Sequence, residues 1–355
     1  MTLTDQAADI RAGEELDAQR IDPYLKAHIP GLSGTPVISQ FPGGASNLTY
    51  LIQYPERDLV LRRPPFGHKA KSAHDMGREF RILTSLKDAY PYCPQAFAFC
   101  EDEALIGSPF YVMERLKGVI LRAELPPALT LDPAQTEALC KSFVDKLVEL
   151  HQVDYQACGL SDLGRPDGYV QRQITGWSER YDQALTPDAP RWDTVKDWLA
   201  SRMPADHARP GIIHNDYRFD NVILDLDDPM RITGVLDWEM TTLGDPLMDL
   251  GNTLAYWVQA DDPAPVQLMR RQPSHAPGML TRQQFVSYYA ERAGIRIDTV
   301  DFYYVYGLFR LAGIVQQIYY RFYHGQTQDK RFASFVQMNA LLEQMTLQVI
   351  ARSDL

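Results

Sequence analysis

Apolar positions recur at two different periods along this chain, and the change of period divides it. In the first third they come in short alternating runs: Val37 to Phe41, Leu48 to Tyr54, Leu59 to Arg62 and Pro109 to Glu114. Each run is bounded by Pro, Gly or Asn, which is the pattern of short strands joined by turns. Residues 1 to about 30 read as a helical lead-in ended by Pro30 and Gly31, and residues 72–88 as a helix with Phe80, Leu83 and Leu86 along one edge. Beyond Glu114 the period is mostly helical. Asp132 and Pro133 suit the N-cap and first turn of a helix through Leu139, Phe143, Leu147 and Leu150. Thr281 with Gln284 forms a capping box for a helix ending near Gly294, and two further helices span about 299–324 and 330–350. A strand-rich island interrupts them at 211–240, with the apolar runs G-I-I, N-V-I-L and R-I-T-G-V-L-D-W. The expected organisation is a small sheet lobe over 1–113, a hinge at 114–117 and a helical lobe over 118–355.

The chemistry concentrates in that island. H-N-D-Y-R-F-D-N at 214–221 is followed by V-L-D-W-E at 235–239. Phosphoryl transfer needs an oriented hydroxyl, hard oxygen ligands for a metal that bridges phosphates, and positive charge near the migrating group. Asp216 can orient or accept the proton of a hydroxyl, Asn221 and Asp237 can supply oxygens to Mg²⁺, and Arg218 carries charge two residues from Asp216. Taken singly, each motif is also compatible with a turn stabilised by His214 and Asp216 and an ordinary loop acid at 237.

Together the two motifs resemble the catalytic loop and metal-binding segment of the kinase-like superfamily. D-W-E followed by G-D-P-L-M-D-L-G resembles the aminoglycoside phosphotransferase family, which has choline, homoserine and fructosamine kinases as relatives. The resemblance implies a two-lobed α+β kinase-like fold, ATP and Mg²⁺ as cofactors, and roles for residues upstream. F-P-G-G-A-S-N-L-T-Y at 41–50 resembles the phosphate-covering turn, with Gly44, Ser46 and Asn47 as contacts, although a bare hairpin turn reads similarly. Arg62 stands where the family carries a phosphate-binding lysine, with Glu79 as its implied partner. Backbone at Glu114 and Leu116 is implied to pair with adenine. Asp249 resembles the buried acid that holds the catalytic-loop backbone, and His151 a packing histidine.

Other stretches narrow the resemblance. V-L-R-R-P-P-F-G, M-G-R-E-F-R-I-L, F-Y-V-M-E-R-L-K-G and R-L-A-G-I-V-Q-Q-I-Y-Y-R are similar to the kinase-like domain at the N-terminus of certain multidomain acyl-CoA dehydrogenases. That implies a hydroxy acid or hydroxyacyl-CoA as acceptor. The alternatives are an aminoglycoside or amino-alcohol kinase, a nucleotide-binding pseudokinase and an AMP transferase. Between Asp237 and Asp249 there is no room for an activation loop and peptide platform, so the expected partner is a small molecule. Arg310, Gln317 and Arg321 share a helix face by spacing and are expected to meet an anionic acceptor.

Bulk properties agree. A net charge of −11 disfavours nucleic acid. The four cysteines, Cys93, Cys100, Cys140 and Cys158, show neither C-x-x-C nor zinc-finger spacing, and no apolar run is free of charge for long enough to span a membrane. The N-terminal layout is not that of a signal peptide, so a cytoplasmic address is expected. Oligomeric state is left open.

Overall fold

The computed structural model describes residues 4–42, 47–65, 75–205 and 209–355. In chain order its elements are α1 (Ala18–His28), β1 (Val37–Gln40), β2 (Leu48–Gln53), β3 (Asp58–Arg63), α2 (Met76–Leu86), β4 (Ala96–Cys100), α3 (Glu103–Ile106) and β5 (Phe110–Glu114). Then come α4 (Pro133–His151), α5 (Tyr169–Gln183), α6 (Asp193–Ser201), β6 (Gly211–Ile213), β7 (Val222–Leu224), β8 (Ile232–Val235) and β9 (Thr242–Gly244). The chain closes with α7 (Pro246–Ala255), α8 (Ala264–Gln267), α9 (Arg282–Ala293), α10 (Val300–Tyr323) and α11 (Phe335–Arg352). Two compact units result: residues 1–120, 156–160 and 221–239, and residues 121–155, 161–220 and 240–355.

In the first unit the strands form an antiparallel sheet in the order β1-β2-β3-β5-β4. Alternation sorts their side chains. Tyr50, Ile52, Leu59, Leu61, Phe110 and Val112 point to one face and pack with Ile21 and Leu25 of α1. Arg62 and its cross-strand partner Tyr111 therefore point to the other face. The hairpin β7–β8 joins this unit through a bridge between Val119 and Leu224. A cut of the sequence at 118 could not show this, because the pairing is non-local.

Several boundaries differ from the sequence reading. The lead-in is helical only over Ala18–His28, and Ala8 before it pairs with Gln40. Asp75 caps α2 by accepting from the Arg78 N–H, so the helix starts later than expected, while residues 72–74 lie outside the described ones. Its buried face is Met76, Glu79, Ile82, Leu83 and Leu86, which places an acid on the inward stripe and Phe80 beside it. The last helix begins at Phe335 after a tight turn over Lys330–Ser334.

The second unit is helical, with α10 buried along most of its length. Helices α7 and α10 cross at Gly251 and Gly307. A Cβ on Gly251 would stand 2.1 Å from the Tyr303 carbonyl oxygen, and one on Gly307 would stand 2.1 Å from that of Gly251. Since backbone cannot yield as a side-chain tip can, Gly251→Ala or Gly307→Ala is expected to cost about 3 kcal/mol. Urea denaturation of the purified variants measures this, and a loss below about 0.5 kcal/mol would mean that the helices can separate freely.

Candidate functional site

In the second unit, the residues after β6 are fixed from behind by α7. Asp249 is fully buried, and its carboxylate accepts from the backbone N–H groups of His214 and Asn215, both at 2.7 Å. The His151 ring stands 3.1 Å from the same carboxylate, its other nitrogen 2.7 Å from the Tyr289 hydroxyl. Asn215 adopts a left-handed conformation, φ 65°, which Asn tolerates better than most residues. Its amide donates to the Met240 carbonyl at 3.1 Å and its oxygen accepts from Asn252. The turn is thereby set before Asp216 projects from it.

Burial, the largest influence on Asp249, pushes its carboxyl up, but His151 and the N–H of His214 outweigh it and hold the group below its ordinary 3.8. A depressed carboxyl contributes stability that is present above the unfolded value and is lost as pH falls through the folded one. Asp249→Asn should therefore cost about 3 kcal/mol at neutral pH, and the gap from the native chain should close below pH 3.8. Urea unfolding across pH 7 to 3 checks the sign; a gap that widened in acid would contradict it.

Asp216 is gripped by Arg218. Their ion pair is 3.0 Å at Nε, and Nη2 donates to the other carboxylate oxygen at 3.2 Å. Arg218 also stands 3.4 Å from Asp220 and lies over the Tyr256 ring at 4.6 Å. Burial works against its charge, yet Asp216, Tyr256 and Asp220 hold it firmly protonated, while burial raises the Asp220 carboxyl. Of these Arg218 nitrogens, Nη2 makes the hydrogen bond to Asp216, while the buried Nε has no hydrogen-bond partner. Arg218 also borders a cavity of about 170 Å³ with Arg271 and Tyr256, whose apolar wall includes Leu311, Ile314 and Ile318 of α10.

That wall is not the expected stripe. Arg310 is buried against Trp177, 5.4 Å from the ring centre; Gln317 is half-buried; Arg321 is exposed. Helical spacing correctly grouped the three by angle, but α10 is buried on nearly every side, so no polar face marks which side meets a cavity.

In the first unit, Arg62 is the centre of a carboxylate cluster. Its Nη1 lies 3.3 Å from Glu79, and its Nη2 lies 3.1 Å from Asp237 and 3.5 Å from Glu239. Tyr111 donates to Glu79 at 2.7 Å, and Asn47 donates to Glu79 at 3.3 Å and to Glu239 at 2.8 Å. Burial opposes the charge on Arg62, but Tyr111, Glu79, Asp237 and Glu239 raise it well above its ordinary value. Burial also lifts the Glu79 carboxyl, against the pull of Arg62. Glu239 and Tyr111 were not singled out from sequence. Glu239 had a local signal in D-W-E, whereas Tyr111 is placed only by its strand register with Arg62.

Asn221 and Asp237 flank the β7–β8 hairpin, where the Leu236 N–H donates to the Asn221 carbonyl at 2.8 Å. Asp237 has φ 67°, a second left-handed non-glycine residue at a motif position. Among the described residues, no cluster of three or more His, Cys, Asp or Glu side chains could hold a metal alone. One carboxylate and one amide suit Mg²⁺, which takes few protein ligands and keeps waters and phosphates. The Glu114 N–H is used by the Gln95 carbonyl at 2.9 Å, and its side chain pairs with Lys87 at 2.9 Å. Leu116 is half-buried, and Gly44 and Ser46 lie outside the described residues. No helix among the described residues is long and apolar enough to cross a membrane.

These elements match those of the small-molecule phosphotransferase class. Residues 37–284 match the phosphotransferase enzyme family, and the chain belongs to it. It is 34% identical over 339 residues to acyl-CoA dehydrogenase family member 10 of Mus musculus, covering 95% of this chain and 31% of that protein. Acyl-CoA dehydrogenase family member 11 of Homo sapiens is 30% identical over 353 residues, covering 98% of this chain and 44% of that protein. The chain thus spans less than half the length of either curated relative. The crystal structure of a putative aminoglycoside phosphotransferase from Ralstonia eutropha is 30% identical, with a TM-score of 0.82 over 96% of this chain and 100% of that one. The fold is the two-lobed α+β kinase-like fold.

Proposed function

We propose that this chain transfers the γ-phosphate of ATP, with Mg²⁺, to a hydroxyl of a small hydroxy acid or hydroxyacyl-CoA. The observation that carries the reading is the Asp216–Arg218 ion pair on a loop anchored by Asp249. Arg218 fixes the plane of the Asp216 carboxylate, so Arg218 is a positioning residue and Asp216 the catalytic one. Asp216 takes the hydroxyl proton as that oxygen bonds to the γ-phosphorus and the bond to the ADP oxygen breaks. Asn221 and Asp237 would hold the metal, which neutralises phosphate charge when bound. Arg62, oriented by Glu79 and Asn47, would meet the phosphates, and backbone at Glu114 and Leu116 the adenine.

For the acceptor, two observations agree. Both animal relatives are named as acyl-CoA dehydrogenase family members. The cavity beside Arg218 has apolar walls and two arginines in its lining, with no carboxylate. An amino sugar would favour acids there, which weighs against the activity in the name of the Ralstonia protein. An ATP-consumption screen over hydroxy acids, hydroxyacyl-CoAs, amino alcohols, sugars and aminoglycosides tests this. Turnover confined to kanamycin-like compounds would defeat the acceptor assignment.

Arg62 supplies a narrower test. Lysine keeps the charge but can serve fewer of the three surrounding carboxylates. Arg62→Lys should keep most turnover, whereas Arg62→Ala should raise the KM for ATP about tenfold or more, as steady-state kinetics would show. Wild-type kinetics in Arg62→Ala would remove this residue from the phosphate site.

A further inference from the structure

Helices α5 and α10 bring a second pair of arginines together. Arg180 lies over the Trp177 ring at 4.2 Å and Arg310 at 5.4 Å. Arg310 is 4% exposed. Among the described residues neither makes an ion pair or a hydrogen bond to an acid, and the buried Nε of Arg180 has no hydrogen-bond partner. Glu179, whose charge reaches Arg180, is exposed and forms no ion pair with it. The charge of Arg310 bears on Tyr306, hydrogen-bonded by Trp177, and on Tyr169, which contacts Asn215 at 3.5 Å. The arrangement is packed closely on purpose-built backbone, since a Cβ on Gly313 would stand 2.9 Å from the Trp177 ring.

Two guanidinium groups over one ring, Arg310 buried and Arg180 half-buried, with neither paired to an acid, carry a cost. Burial pulls Arg180 below its ordinary value; Tyr306 and Glu179 act against it and Arg310 with it. The other buried arginines, Arg62 and Arg63, have acids or carbonyl oxygens around them. Arg62 has three carboxylates, and Arg63 donates to the Pro64 and Ile106 carbonyls. An anion from outside the chain would complete the pair. Tyr256 feels both Arg218 and Arg310, and Arg218 grips Asp216.

We propose that Arg180 and Arg310, on Trp177, form a subsite for an oxyanion carried by the acceptor and so select anionic acceptors. This deepens the phosphotransferase reading and rests on it for the identity of the ligand as acceptor. The planar forks suit a carboxylate or a phosphate oxyanion.

The test uses the full chain and begins without turnover. Thermal melts in inorganic phosphate, against chloride at equal ionic strength, should show the native Tm rising by about 1–3 °C. Arg180→Met and Arg310→Met should each lose most of that rise. Without phosphate they should melt at or above the native temperature, because each removes a charge that no acid of the chain pairs with. No rise in the native chain, or an equal rise in both variants, overturns the subsite. So do Met variants that melt far lower while Arg310→Lys does not, since the cations would then hold the fold.

Kinetics then separate the sources of the oxyanion. With 3-hydroxybutyrate, its methyl ester and its CoA thioester as acceptors, the Met variants should raise acceptor KM about 30-fold or more for an anionic acceptor, leaving ATP KM and the ester unchanged. A rise for the free acid alone assigns the site to the carboxylate, and a rise for the thioester assigns it to a CoA phosphate. No selective rise overturns the proposal. A chain that transferred no phosphoryl group would still show the phosphate-dependent melt, so failure of the wider reading is recognisable separately.

Discussion

Asp216→Asn is expected to lower kcat by about 10²–10⁴-fold while leaving the affinity for Mg·ATP nearly unchanged. Asn is close in shape and can still accept from Arg218, so the turn set by Asp249 and Asn215 should persist. What is lost is a carboxylate able to take the acceptor's proton. The expected pattern is a fall in kcat and kcat/KM together, which marks an interaction made in the transition state. Single-turnover phosphoryl transfer, with nucleotide binding measured by calorimetry, reads the two quantities apart. Turnover within about threefold of native would take Asp216 out of the catalytic role.

Asp237→Asn should have the next largest effect, on nucleotide rather than on acceptor. Asn tolerates the left-handed backbone at φ 67°, so the exchange removes charge without adding strain. It also frees one of the three carboxylates that hold Arg62. Loss of a charged ligand should weaken Mg·ATP binding by more than about 100-fold, beyond what loss of a group behind a ligand costs. Isothermal titration of Mg·ATP measures it, with metal-free ATP as control. Equal affinities in native and variant chains would place the metal elsewhere.

The proposed catalytic loop and metal segment stand out in the sequence because such roles depend on spacing within a few residues. H-x-D-x-x-x-x-N and V-L-D-W-E carry that spacing whole. Short-range signals also marked the N-cap at Asp132 and the capping box at Thr281; the structure closes both as capping boxes, on Gln135 and Gln284. Contacts across long sequence separations were not readable. Tyr111 meets Glu79 because strand register and an inward-facing acid on α2 coincide, and neither leaves a mark nearby. Elements β4, α5 and α6 went unassigned, and with them Trp177 and Arg180. Arg310, Gln317 and Arg321 were grouped by helical angle, yet Arg310 is buried, Gln317 half-buried and Arg321 exposed. Angle fixes a face; only packing decides what that face meets.

The central claim is that the γ-phosphoryl group of ATP moves to a hydroxyl of a small anionic molecule. Parallel incubations with α-labelled and γ-labelled ATP, Mg²⁺ and a panel of hydroxy acids and hydroxyacyl-CoAs test it most directly. The account predicts an acid-stable labelled small molecule from γ-labelled ATP only, and none with Asp216→Asn. Label from α-labelled ATP, label on protein, or no transferred label with any acceptor would contradict it.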